Sequence, residues 1–292
     1  MRRLVLVHGR SQQHKDAKAL KQEWLDCLQA GFQAARLELD IPDEQVAFPY
    51  YGDTLDKLSR DPNAKGPDVI VAGVGDPDQA EQAFIGSIVE QVVTKVGVPE
   101  EQIRAEAGVV AIEAGWQNWR LVLAALRALD KWPGVSAASI ELITHDVWMY
   151  LKNSGIQRIL DNGVRGAMTG EETVVVAHSL GTIVAYNLLA REAKDNDWTV
   201  PSLITVGCPL GISAIVDVLR PITHPVGVGE WYNAFDRADT VALFPLDAGH
   251  FPITPAVENY PDVKNTTSNH HGISGYLSDP TVARRIHDAL LG

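Results

Sequence analysis

The chain has 292 residues, 46% hydrophobic and 21% charged, ordinary proportions for a globular protein large enough to bury a sizeable core. Its 25 Lys and Arg against 37 Asp and Glu give a formal charge of −12, which argues against DNA, RNA or an anionic bilayer as main partner, since those demand a basic face. The two cysteines, Cys27 and Cys208, suggest no disulfide framework and fit a reducing compartment, and no apolar run reaches the roughly 18 residues that would span a bilayer.

The opening stretch Arg2 to Arg10, RRLVLVHGR, reads as a strand buried on both faces that stops at His8-Gly9. Its apolar part is too short for the h-region of a signal peptide and no small-residue cleavage site follows, so a cytoplasmic location without a transmembrane segment is expected. Gly9 permits a sharp turn that would aim the N–H of Arg10 at a pocket beyond the strand end.

Asp16 then opens a helix whose Leu20, Trp24, Leu28 and Phe32 form one apolar stripe. Gln45 to Tyr51, QVAFPYY, reads as an edge or second strand because Pro49 cannot donate to a central ladder. From Gly52 to about Ala138 the pattern is mostly helical. One helix starts at Pro77-Asp78, carries Ala80, Phe84, Ile88 and Val92, and stops at Gly97 and Pro99; another runs through Trp116, Trp119, Leu123 and Leu126. The strand-like DVIVA with Gly73-Val74-Gly75-Asp76 lacks the third Gly of a dinucleotide fingerprint and the G-K-[ST] of a phosphate loop, so no nucleotide cofactor is expected. A helix around Asp146 to Leu160 leads to the next strand.

Thr173 to Tyr186, TVVVAHSLGTIVAY, is an apolar β-branched run that breaks at His-Ser-Leu-Gly and resumes with helical spacing: a strand, a tight turn and a helix. A serine at such a tip presents its hydroxyl away from the backbone, and the following N–H faces the developing oxyanion, so Ser179 is the candidate nucleophile and the N–H groups of Arg10 and Leu180 are the candidate oxyanion donors. Read alone, Ser179 could equally cap the helix.

Ser202 to Val206 forms a further buried strand with Gly207 to Gly211 as its exit loop. Trp231 to Leu243, WYNAFDRADTVAL, places two carboxylates beyond a short strand; Asp239 is preferred as the acid because Thr240-Val241 can anchor its loop, with Asp236 as the alternative. Asn269-His270-His271-Gly272 precedes Ile273 and Tyr276. A helix follows that starts at Asp279-Pro280 and carries Val282, Ile286 and Leu290. The two adjacent histidines cannot both reach one serine; His271 is preferred as the base because Ile273 and Tyr276 can be buried to hold its loop, with His270 as the alternative. No H-x-x-x-H or C-x-x-C spacing accompanies the pair, so no metal is assigned.

The segments LVLVHG, VVVAHSLG, TVGCPLG, WYNAFDRADTVA and HHGISGYL, in this order, resemble the α/β-hydrolase superfamily on the side of lipases and esterases whose serine elbow reads A-H-S-x-G. Ala177 stands where the strict G-x-S-x-G pattern has its first Gly, which many members tolerate. The resemblance implies an α/β fold with a mostly parallel sheet flanked by helices, a Ser179-His271-Asp239 triad and the oxyanion donors above. No flexible linker divides the chain, so one domain over residues 1–292 is expected, with the mostly helical stretch at about 52–138 as a cap or lid inserted before the nucleophile strand. The expected activity is cleavage of a small-molecule carboxylic ester or acyl substrate through an acyl-enzyme. Thioesterase, amidase or acyltransferase chemistry would use the same residues, and a hydrolase fold used as a binding or signalling module with little turnover is the reading of a different class. Neither acyl length nor oligomeric state has a readable signal.

Overall fold

A run such as Val174-Val175-Val176 offers apolar side chains to both faces of a strand, and such a strand is stable only in a sheet covered on both sides. The computed structural model describes residues 1–9, 16–51, 78–107, 115–132 and 135–292. Among them, strands β1 (Arg3–Val7), β2 (Val46–Ala47), β3 (Thr173–His178), β4 (Val200–Val206), β5 (Val228–Ala234) and β6 (Glu258–Tyr260) form one sheet. Its order is β2-β1-β3-β4-β5-β6, and every neighbouring pair is parallel. The register pairs Val7 with Ala177 and His178 with Val206, so the ends of β1, β3 and β4 come out level at one edge of the sheet.

Alternation along these strands divides the core in two. Leu4, Leu6, Val174, Val176, Ile204 and Val206 face a layer made by helices α1 (Ala17–Ala34), α9 (Ile273–Leu277) and α10 (Pro280–Leu291). Val5, Val7, Val175, Ala177 and Leu203 face the opposite layer, which includes α5 (Ala137–Lys152), α6 (Ser154–Ala167), α7 (Leu180–Glu192) and α8 (Ser213–Leu219). The protein is therefore of the α/β class, a parallel sheet between two helical layers. The connection leaving β1 runs through α1 toward β2, and that leaving β3 runs through α7 toward β4 on the other face. The two diverge at the β1–β3 junction, and a divergence of this kind opens a crevice beyond the carboxyl ends of the strands.

Side-chain caps account for most helix starts among the described residues. Asp16 caps α1 through Ala19 N–H at 2.8 Å, and Leu20, Trp24, Leu28 and Phe32 are the buried stripe. Asp279 caps α10 through Thr281 and Val282 N–H, with Val282, Ile286 and Leu290 buried. Three boundaries differ from the sequence expectation. The helix expected around Asp146 to Leu160 is two helices, because Asn153 is extended and its Oδ1 accepts from Gly155 and Ile156 N–H at 3.0 and 3.1 Å, capping α6. Trp116 belongs to a separate 3₁₀ turn, Gly115–Gln117, and Asn118 caps the helix that follows. Of QVAFPYY only Val46–Ala47 joins the sheet, at its edge.

Between β2 and α5 lie α2 (Gln79–Val96), α3 (Glu100–Ala107) and α4 (Trp119–Asp130), which pack on one another and against α5 and α8. Phe84 is buried against the Trp148 ring, 5.2 Å between centroids, whereas Trp116 and Trp119 are half-buried. Residues 52–77, 108–114 and 133–134 of the expected insertion, including DVIVA and Gly73 to Asp76, lie outside the described residues. Among the described residues no helix is long and apolar enough to cross a membrane.

Candidate active site

Strand β3 ends at His178 and α7 begins at Leu180, so Ser179 must turn the chain by itself. It does so at φ 55° and ψ −129°, a conformation that costs a non-glycine residue about 1–3 kcal/mol unless its surroundings enforce it. They do. Ser179 N–H donates to Val206 O of β4 at 3.2 Å, and Thr182 N–H and Oγ1–H donate to Ser179 O at 2.9 and 2.7 Å. Gly181 completes the turn: a Cβ there would lie 2.5 Å from both Val7 O and His8 O, so only a bare backbone lets α7 come this close to the end of β1. Leu180 N–H falls in the first turn of α7, where backbone donors have no intrahelical acceptor and the helix dipole is positive.

The base candidate is brought to this serine from 92 residues away. His270 sits at φ 56°, in the left-handed region, and this reversal sends the side chains of the two adjacent histidines in different directions. His271 Nε2 lies 2.9 Å from Ser179 Oγ and its Nδ1 lies 2.8 Å from Asp239 Oδ2. His270 Nδ1 instead donates to Asn265 O at 2.9 Å and stands 3.7 Å from Asp236 Oδ2. Because an ionised carboxylate only accepts, Asp239 fixes the His271 proton on Nδ1 and leaves the Nε2 lone pair for the serine hydroxyl.

Asp239 is fully buried, which alone would raise its pKa. The opposing charge of His271 and hydrogen bonds from His271, Tyr276 and Val241 N–H outweigh this and hold it below the ordinary carboxylate value. Val241 and Ala242 N–H donate to Oδ1 at 2.8 and 3.3 Å, and Tyr276 Oη–H donates to Oδ2 at 2.5 Å. Asp236 has a different task. Its Oδ1 accepts from Ala238 N–H at 2.8 Å and its Oδ2 from Asn265 N–H at 2.7 Å, tying the turn after β5 to the loop that carries both histidines.

Two further histidines support the site. His178 Nε2–H donates to His271 O at 2.8 Å; burial, with the nearby His271 charge, pushes His178 down to about 3, so it stays neutral. His8 Nε2 accepts Tyr51 N–H at 3.1 Å, which leaves Nδ1–H to donate to Gly9 O at 2.7 Å; burial pushes His8 to about 4. The Tyr51 hydroxyl donates to His8 O. Gly207, at the exit of β4, has φ 57°, and a Cβ there would lie 3.1 to 3.2 Å from the rings of His271, Tyr276 and His178. Three rings meet where a side chain would stand.

Beside the acid a cavity of about 220 Å³ is lined by Lys95, Trp132, Arg237, Thr240 and His270. Among the described residues no three His, Cys, Asp or Glu side chains are grouped to share a metal ion. The structure thus brings Ser179, His271 and Asp239 into one hydrogen-bonded line and puts Leu180 N–H at the same elbow; Arg10, the other expected oxyanion donor, lies outside the described residues. Sequence reasoning missed the His178 bond to the His271 carbonyl and the Tyr276 bond to Asp239. A histidine just before the elbow serine and a tyrosine five residues after the base were the available signals, but neither spacing tells which atom is touched. No protein-family model matches the chain, and comparison with curated proteins gave no match.

Proposed function

We propose that the chain is a serine hydrolase of the α/β-hydrolase type that cleaves carboxylic esters. The observation that carries this reading is the relay from Ser179 Oγ through His271 to Asp239, with contacts of 2.9 and 2.8 Å, set where the chain diverges at the carboxyl ends of a parallel sheet. The parallel order β2-β1-β3-β4-β5-β6 is compatible with that family. Helices α2 to α4, which pack on one another and against α5 and α8, are the segment we assign as the cap.

In this reading His271 Nε2 takes the Ser179 hydroxyl proton as Oγ attacks the ester carbonyl. Asp239, ionised, stabilises the imidazolium that forms. Leu180 N–H, at the positive end of α7, donates to the tetrahedral oxyanion, and Arg10 N–H is the second proposed donor. His271 then protonates the leaving alcohol, and water activated by the same imidazole releases the acid. Neutral His178 and His8 add no positive charge that would repel the imidazolium.

The test is labelling with a fluorophosphonate probe and hydrolysis of p-nitrophenyl esters over an acyl-length series. Wild-type protein should do both, and Ser179→Ala should lose the label and about 10⁶-fold in turnover. Absence of labelling in the wild type, or equal labelling of Ser179→Ala, refutes the assignment. Thioester and amide donors in the same series separate the other acyl-transfer chemistries. Ligand-dependent thermal stabilisation without turnover, unaffected by Ser179→Ala, would instead point to a binding module.

A further inference from the structure

Asp239 Oδ2 receives two donors, His271 Nδ1 at 2.8 Å and Tyr276 Oη at 2.5 Å, while Oδ1 receives Val241 and Ala242 N–H at 2.8 and 3.3 Å. An ionised carboxylate offers about four lone-pair sites, so this acid is saturated. The backbone bonds hold only Oδ1, and a carboxylate held at one oxygen can pivot about it. We propose that Tyr276 is a positioning residue for the acid: its hydroxyl locks Asp239 Oδ2 onto His271 and draws off part of the carboxylate's charge. This inference rests on the serine-hydrolase reading of the site.

Four features carry it. Tyr276 is 0% exposed, so no water competes for its hydroxyl. The hydroxyl accepts Asp236 N–H at 3.4 Å, which leaves its own proton for Asp239. Burial, with the adjacent Asp239 charge, raises the phenol well above its ordinary value, so it remains a donor at every working pH. Moreover, His271 and Tyr276 lie at the two ends of one short segment entering α9, and both dock on the same carboxylate. The register of that segment against Asp239 therefore sets where the imidazole stands.

A second strong donor on Oδ2 draws off part of the charge that would stabilise an imidazolium on its neighbour. The other titratable groups facing the pair are His178, its ring 4.8 Å from that of His271; Asp236 and His270 on the adjoining turn and loop; and the Cys208 thiol, pushed up to about 11 by burial. Lys95 and Arg237 line the neighbouring cavity. Removing the phenolic oxygen deletes no charged group among these; it also releases Asp236 N–H from its 3.4 Å bond to that oxygen.

The test is Tyr276→Phe in the full chain. The acid limb of kcat/KM for a p-nitrophenyl ester should move to higher pH by about half a unit to one unit, with kcat lowered about 3- to 10-fold and KM little changed. The His271 Nδ1–H resonance should move downfield. In an Asp239→Asn background the tyrosine substitution should leave the acid limb unmoved. An unmoved limb and resonance in a variant with wild-type thermal midpoint, or a limb displaced to lower pH, overturns the proposal. Should Tyr276→Phe not fold, the Tyr276 hydroxyl proton of the wild-type chain gives the second readout. It should resonate at low field and move upfield in Asp239→Asn, and its invariance also overturns the proposal. The resonances need no turnover, so a chain without ester activity would sink the hydrolase reading while still deciding whether Tyr276 polarises Asp239.

Discussion

Two histidine–carboxylate pairs lie side by side in this protein, formed from adjacent histidines and from carboxylates three residues apart, yet they do different work. His271 and Asp239 meet at 2.8 Å with side chains 9% and 0% exposed; His270 and Asp236 stand 3.7 Å apart at 35% and 12%. The first pair faces a serine. The second ties a loop to a turn through Asn265. Burial makes the difference, because a charged contact shielded from water is strong and directional, whereas a half-exposed one is screened. The left-handed backbone at His270 decides which imidazole goes to which carboxylate.

The largest effect that can break this comparison is the exchange of roles between the histidines. His271→Ala should lower kcat of ester hydrolysis about 10⁵- to 10⁶-fold, no further in combination with Ser179→Ala, whereas His270→Ala should cost less than about 10-fold. Equal losses would mean that the loop, not the imidazole, is what matters. Next come the carboxylates. Asp239→Asn should cost about 10⁴-fold in kcat by favouring the wrong tautomer of His271. Asp236→Asn should instead show in urea unfolding, as a loss of about 1–3 kcal/mol from the buried N–H groups it now satisfies, with kcat within about 10-fold.

Gly207→Ala sharpens the contrast from the side of the rings. Its φ of 57° disfavours any side chain, and the new Cβ would press first on His271, Tyr276 and His178. We expect kcat to fall about 10²-fold, the cost of a misplacement on the order of 1 Å, and His270→Ala to add nothing further to that loss.

The smallest effect is on acid stability. His8 and His178 are held by burial at about 4 and about 3, below the ordinary 6.5, so the unfolded chain binds more protons than the folded one between these values. Their contribution is complete above about pH 6.5 and is lost as pH falls toward 4 and below. Asp239, depressed in the folded state, contributes above the unfolded carboxylate value and loses that contribution only at lower pH. Thermal midpoints should therefore decline from pH 7 to 4, and His178→Asn should flatten the decline. An unchanged slope would place the acid sensitivity elsewhere.

Much of the scaffold was legible. Unbroken Val and Leu runs demanded a doubly covered sheet, Asp16, Asp78 and Asp279 marked helix starts, and Ala177-His-Ser-Leu-Gly181 marked the elbow. Asn153 and Asn118 were missed as caps because apolar spacing runs through them, and a cap acts through one side-chain bond that periodicity does not register.

By itself the sequence determined what is encoded in short spans: which faces are apolar, where the chain must turn, and which polar residue types stand near strand ends. Only the tertiary structure decided that Asp239 rather than Asp236 meets His271, that His178 grips the His271 carbonyl, and that Tyr276 shares the acid's oxygen. The reason is physical. Periodicity and turn chemistry act over a few residues, whereas a hydrogen bond of 2.5–2.9 Å across tens of residues depends on how strand ends, a left-handed residue and a bare glycine place the backbone in space.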